Sequence, residues 1–121
     1  MKTTELGAWG EDLAVEALIK KGYRILARNF RCRMGEVDVI AEKDGILAFV
    51  EVKLRKNSRY GSPREFVTPG KQRKLRLTAS FWLAGHLSAA GLQPRFDVIE
   101  IVAPYGPNGE SSLVHLENAF E

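Results

Sequence analysis

Three side chains with the means to do chemistry, Asp38, Glu51 and Lys53, lie close together in this sequence, on either side of Asp44-Gly45. That dipeptide is a two-residue hairpin turn by composition, and Asp44 facing Gly45 fixes the register of its arms. Asp38 then faces Glu51, and Glu36 faces Lys53. Residues two apart on a strand share a face, so Glu36, Asp38, Glu51 and Lys53 are expected to project together. Val37, Val39, Ala41, Ala48, Val50, Val52 and Leu54 form an apolar reverse face that must be core. Directly opposed side chains have Cβ atoms roughly 4.5–5.5 Å apart, where like charges are destabilising. Folding alone therefore gives no reason to set Asp38 against Glu51. A divalent cation removes the conflict, since carboxylate oxygens at ~2.0–2.1 Å suit Mg²⁺. Lys53 would add a fixed positive charge beside it. Two carboxylates, a metal and a lysine suit phosphodiester hydrolysis, which needs an activated water and neutralisation of charge on the phosphate. The plainer alternative is an exposed strand face with a Glu36–Lys53 ion pair and two solvated carboxylates.

These residues need a scaffold. Leu6, Trp9, Leu13 and Ala17 predict an amphipathic helix, capped by Thr3 or Thr4 and stopped by Lys20, Lys21 and Gly22. Gly7 and Gly10 each weaken it by about 1 kcal/mol relative to Ala. Either another backbone approaches closely there, or something large docks beside Glu11. Strands are expected at Tyr23–Phe30, Glu36–Glu42, Ile46–Leu54, Phe96–Val102 and Leu113–Leu116. Helix starts follow at Ser62-Pro63, with Glu65, and at Thr68-Pro69. The second opens a long helix that buries Leu75, Ala79, Trp82 and Leu83 and ends near Gly91. The resulting order, α-β-β-β-α-β-β, is an α/β arrangement with a central mixed sheet flanked by helices.

The 121 residues fit a single domain, 1–121, with a core over about 5–102 and a turn-rich connection and terminal strand over 103–121. A chain 45% hydrophobic and 27% charged is not disordered throughout. No apolar run approaches the ~20 residues that span a bilayer, so no membrane is expected. Met1-Lys2-Thr3-Thr4-Glu5 is no secretory signal, and a single cysteine, Cys32, gives neither an internal disulfide nor a cysteine-only zinc site. The cytoplasm is the expected compartment. Net charge is only +3, but between Lys53 and Arg76 nine basic residues meet one acidic residue, Glu65. This points to a polyanionic partner, with a solvated basic face as the alternative. Lys56, Arg59, Arg64, Lys71, Arg73 and Lys74 are the candidate phosphate contacts, and Tyr60 is the candidate for base stacking. His86 and His115 lack a second histidine at metal spacing and read as structural or surface residues. Cys32 reads as incidental, and Trp9 and Trp82 as core anchors.

Asp38 with Glu51-Val52-Lys53 on adjacent strands after an N-terminal helix resembles the PD-(D/E)XK nuclease superfamily, which includes restriction enzymes and archaeal Holliday-junction resolvases. More closely, the chain is similar to the small bacterial YraN family. The matching stretches are Gly7 to Ala14, Asn29-Phe-Arg, Gly35 to Ala41, Phe49 to Lys53, Gly61 to Lys71, and Arg95 to Val98. The superfamily's proline before the first acid is absent, because Val37 precedes Asp38. The resemblance implies a restriction-endonuclease-like core and a Mg²⁺- or Mn²⁺-dependent endonuclease. Asp38, Glu51 and the Val52 carbonyl would be metal ligands, and Lys53 would orient the attacking water. Glu11 matches a helical glutamate that completes such a site, and Gln72 a polar helix residue near it.

The expected function is hydrolysis of branched or structured DNA, by a homodimer if cleavage is symmetric. A nucleic-acid-binding module of the same fold that cleaves nothing is the first rival. A scaffold whose basic strip meets an acidic protein is the second.

Overall fold

The computed structural model describes residues 3–57 and 67–121. Their elements are α1 (Thr3–Lys20), β1 (Arg24–Cys32), β2 (Gly35–Lys43), β3 (Ile46–Arg55), α2 (Pro69–Ala84), β4 (Gln93–Val102) and β5 (Ser112–Phe120). This is the expected order. The strands form one sheet in chain order, antiparallel except where β3 and β4 run parallel. A parallel neighbour needs a crossover, and α2 lies within it.

The helices cover opposite faces. Ala14 and Leu18 of α1 pack on Val39, Ala41, Ala48, Val50, Ile99 and Ile101. Leu75, Ala79 and Trp82 of α2 pack on Ile40, Leu47, Phe49 and Val98. Strands covered on both faces read as continuous apolar runs, which is why Ile46 to Val50 hardly alternates.

Several details depart from expectation. The buried line of α1 is Gly10, Ala14 and Leu18, with Trp9 and Leu13 half-buried beside it. Helix α1 already contains Thr3 and Thr4. Gly10 packs on Leu54: a Cβ there would lie 3.6 Å from it, an ordinary contact, so the position faces the sheet and has room for a methyl. Thr68 does cap α2, accepting the Lys71 N–H at 3.3 Å, with Pro69 following. That helix ends at Ala84, short of Gly91, because Gly85 and His86 bond back to Trp82 and Leu83 and a short 3₁₀ turn follows. In β2, Val37 packs in the α2-side core while Val39 and Ala41 pack on the α1 side. The three do not share one apolar face, so the strand changes its presentation at Asp38. Among the described residues, no helix is long and apolar enough to cross a membrane.

Candidate functional site

Asp38 stands where the β2–β3 hairpin opens. Asp44 and Gly45 adopt positive φ, 49° and 80°, as a type I′ turn requires. Pairing then runs from Lys43–Ile46 to Val39–Val50 in the expected register. It stops there. Asp38 and Glu51 do not continue the ladder; Asp38 Oδ2 instead accepts the backbone N–H of Val52 at 2.7 Å. A side chain thus takes a donor that a neighbouring strand would otherwise take. Glu36 bridges to Arg31, directly opposite it on β1, at 3.0 Å.

The two acids remain close enough to feel each other. Burial, and then the Asp38 charge, pushes the Glu51 carboxyl up to about 7, against the opposing pull of Lys71. Burial also raises Asp38, an effect partly offset by the Val52 N–H and reinforced by Glu11. Lys71 Nζ lies 3.9 Å from Glu51 Oε1, so α2 brings one basic residue to the acid pair.

Asp38, Lys53 and Val52 line a cleft of about 640 Å³ together with Glu11 and Asn29. Glu11 is buried, and its Oε1 accepts from Arg28 Nε at 2.9 Å and from Asn29 Nδ2 at 3.0 Å. Arg28 also bridges to Asp12 at 2.6 Å, which fixes its guanidinium against the middle of α1. Asn29 and Arg28 are site residues that periodicity does not reveal. The local signal for Asn29 is its type: it sits within a strand at φ 52°, a conformation Asn tolerates better than most residues. Across the parallel ladder, Lys53 faces Glu100, a buried acid that bridges to Arg55 at 2.8 Å. Parallel pairing over a long crossover leaves no short-range trace, so Glu100 was not legible as a neighbour.

Other expected site residues separate. Lys56, Arg73 and Lys74 are exposed. Gln72 is held locally, its Nε2 donating to the Val67 carbonyl at 2.9 Å. Arg59, Tyr60 and Arg64, and the helix start at Ser62-Pro63, lie outside the described residues. Trp82 is buried and stacks on His86 at 4.0 Å, while Trp9 packs at the edge of the α1-side core. His115 is structural: its Nε2 lies 2.8 Å from Asp97, and Lys21 Nζ lies 2.9 Å from its Nδ1. A lysine ammonium only donates, so Nδ1 accepts and Nε2 carries the hydrogen given to Asp97.

No group of three or more His, Cys, Asp or Glu side chains placed to hold a metal occurs among the described residues. The available donors are the Asp38 and Glu51 carboxylates and the Val52 carbonyl. That set is enough for Mg²⁺, which keeps several waters and commonly takes one or two carboxylates from the protein.

A model of the uncharacterised protein family UPF0102 matches residues 10–101. A UPF0102 protein of Caldicellulosiruptor bescii is 44% identical over 120 residues, covering 99% of this chain and all of its own. One from Syntrophomonas wolfei is 47% identical over 118 residues, covering 96% and 97% of the two chains. One from Symbiobacterium thermophilum is 48% identical over 115 residues, covering 95% of each. With the matched segment running from Gly10 in α1 to the end of β4, the chain belongs to the UPF0102 family, the YraN family of the sequence resemblance.

Proposed function

We propose that this protein is a metal-dependent endonuclease acting on branched or structured DNA. The observation that carries the reading is the junction of Asp38 and Glu51. Two acids with restricted access to water meet where the hairpin opens; burial raises both, the Asp38 charge adds to the rise of Glu51, and Glu11 and Glu36 add to that of Asp38. A divalent cation at this pair would relieve the repulsion and supply a Lewis acid for the phosphate and an activated water. The protein's own residues would do the rest. Asp38 is oriented by the Val52 N–H, Glu11 is held by Arg28 and Asn29, and Lys53 presents a cation to the charge that develops on the phosphate. The PD-(D/E)XK resemblance supports the same assignment of Asp38, Glu51 and Lys53. The exposed Lys56, Arg73 and Lys74, with Lys71 beside the acids, would hold flanking phosphates. Symmetric cutting of a junction would need two copies related by a two-fold axis.

Lys53→Ala separates an enzyme from a binder. Mg²⁺ binding should survive the change, and binding of a four-way junction, measured in Ca²⁺, should weaken by at most about tenfold. Cleavage in Mg²⁺ or Mn²⁺, followed over hours, should fall on the order of a hundredfold, the scale of losing one stabiliser of developing charge. Equal losses of binding and cleavage would reduce Lys53 to a phosphate anchor. A parent protein that binds the junction without nicking it would leave the non-catalytic binding module standing.

A further inference from the structure

A second cleft, of about 680 Å³, lies between the start of α1 and the connection from β4 to β5. We propose that it takes an unpaired base of the bound nucleic acid, stacked on Tyr105, while the sugar-phosphate chain continues past Gly7 toward Asp38 and Lys53. The proposal rests on the nucleic-acid reading above and adds what kind of nucleic acid the site would prefer: one with a single-stranded segment beside the reacting phosphate.

The two clefts are neighbours, since Gly7 and Leu54 line both. Gly7 is otherwise unexplained. It weakens a helix interior, its backbone needs no positive φ, and a Cβ there would meet nothing within 4 Å. A larger side chain would extend from the helix surface that both clefts share. Gly10, one turn on, faces Leu54, a packing contact that Gly7 lacks.

Tyr105 is an aromatic residue 76% exposed, yet its loop is built. The Ala103 N–H bonds to the Arg55 carbonyl at 2.8 Å, and the Gly106 N–H to the Ala103 carbonyl at 3.1 Å. Gly106 sits at φ 61°, where a Cβ would come within 3.3 Å of Leu6. A Cβ on Gly109 would come within 3.0 Å of Tyr105 Cβ and 3.2 Å of Cδ2, so the glycine lets the chain lie close against that side chain. One side of Tyr105 is thereby backed and the rest is left to solvent. A flat, pre-positioned ring is what base stacking uses, because every base has a π-face. The charge of the lining agrees with this occupant. Lys56 contributes an exposed cation, the Arg55 guanidinium being buried against Glu100, and no acidic side chain lines this cleft among the described residues.

The test compares Tyr105→Ala, Tyr105→Phe and Gly7→Leu with the parent. Fluorescence anisotropy in Ca²⁺ would follow two labelled probes, a blunt duplex and the same duplex carrying a single-stranded arm. The parent should favour the armed probe. Tyr105→Ala and Gly7→Leu should each weaken that probe by about tenfold, the scale of one lost stack, and leave the blunt duplex within about twofold. Tyr105→Phe keeps a ring and should bind like the parent, and melting temperatures should show that all three variants fold. Armed-probe binding unchanged in both Tyr105→Ala and Gly7→Leu would overturn the proposal while leaving the nucleic-acid reading intact. Equal losses on the two probes would also overturn it, by making the cleft a general phosphate contact. A parent that binds neither probe would defeat the nucleic-acid reading, and this one with it.

Discussion

The Asp38 carboxylate has two duties that substitutions can separate. As acceptor for the Val52 N–H it closes the open end of the hairpin, and as an acid it faces Glu51. Asp38→Asn keeps an acceptor oxygen and removes the repulsion, so metal-free stability should stay within about 1 kcal/mol of the parent. Asp38→Ala leaves the Val52 N–H unpaired and should be destabilised by about 1–3 kcal/mol. Chemical denaturation of the two variants, with hydrogen exchange at Val52, checks this. If both lose stability equally, the hydrogen bond is not what Asp38 contributes. Glu51 predicts a pH dependence. Its carboxyl is raised from 4.5 to about 7 in the folded chain, so the native state binds the proton more tightly than the unfolded state. Its contribution to stability is therefore present at low pH and is lost as pH rises from 4.5 through about 7. Metal-free Glu51→Gln should melt higher than the parent at pH 8 and show a flatter profile over that interval. The Asp38–Glu51 juxtaposition was legible from turn arithmetic because a two-residue turn leaves no freedom of register. The end of the ladder at Val39–Val50 was not, since it depends on a side chain that displaces a backbone partner.

At the scale of elements, the start of α2 does more than begin a helix. The N–H that Thr68 caps belongs to Lys71, whose amine reaches toward Glu51. Thr68→Ala should cost about 1 kcal/mol in stability. By loosening the first turn it should also raise the Glu51 carboxyl further, because Lys71 is a cation that lowers it. A thermal melt and an NMR titration of Glu51 in the variant would test both halves; an unmoved titration would mean that Lys71 holds its place without the cap. Elements were largely readable from the sequence because strand alternation, the Asp-Gly turn and the Thr-Pro cap are local signals. The core face of α1 was half legible: Trp9 and Leu13 do pack against the core, but the fully buried line runs through Ala14 and Leu18, whose small or single apolar side chains give a weak periodic signal.

Across the whole molecule, two sets of acids carry opposite electrostatic designs. Near Asp38 acids crowd together, whereas Asp97, on β4 in register with Val50, is fully paired. It accepts from Arg95 twice at 2.8 Å, from His115 at 2.8 Å and from the Asn118 N–H at 3.0 Å. Burial alone would raise Asp97, but His115, Arg95 and the Asn118 N–H together hold it below the usual carboxylate range. The sign is therefore opposite to that of Glu51. Stability from Asp97 is present at neutral pH and is lost as pH falls through its lowered value. Asp97→Asn leaves Arg95 without its buried counter-charge and should destabilise the fold by about 3–5 kcal/mol. Acid unfolding of parent and variant would check this; coincident acid limbs would show that Asp97 does not govern them. The basic segment is a matter for the whole surface too. If nucleic acid binds there, replacing Lys71 and Lys74 by Ala should flatten the slope of log affinity against log salt by about 0.9 per lost contact. An unchanged slope would put the nucleic acid elsewhere.

The parallel pairing of β3 with β4 bears on how the protein comes into being. Every residue from Ile46 to Arg55 lies beside one in Gln93–Val102, across the intervening α2 crossover. The β1–β2–β3 meander can form from neighbours in sequence, but the strand that completes the sheet beside Glu51, Val52 and Lys53 must be brought back over a long loop. Closing that loop loses chain entropy before any contact repays it, so β4 is expected to join late and to set the pace of folding. The acids of the β2–β3 hairpin could then meet early, whereas Glu100, the buried neighbour of Lys53, arrives only with β4, so a nascent or partly folded chain would carry the acid pair in an unfinished setting.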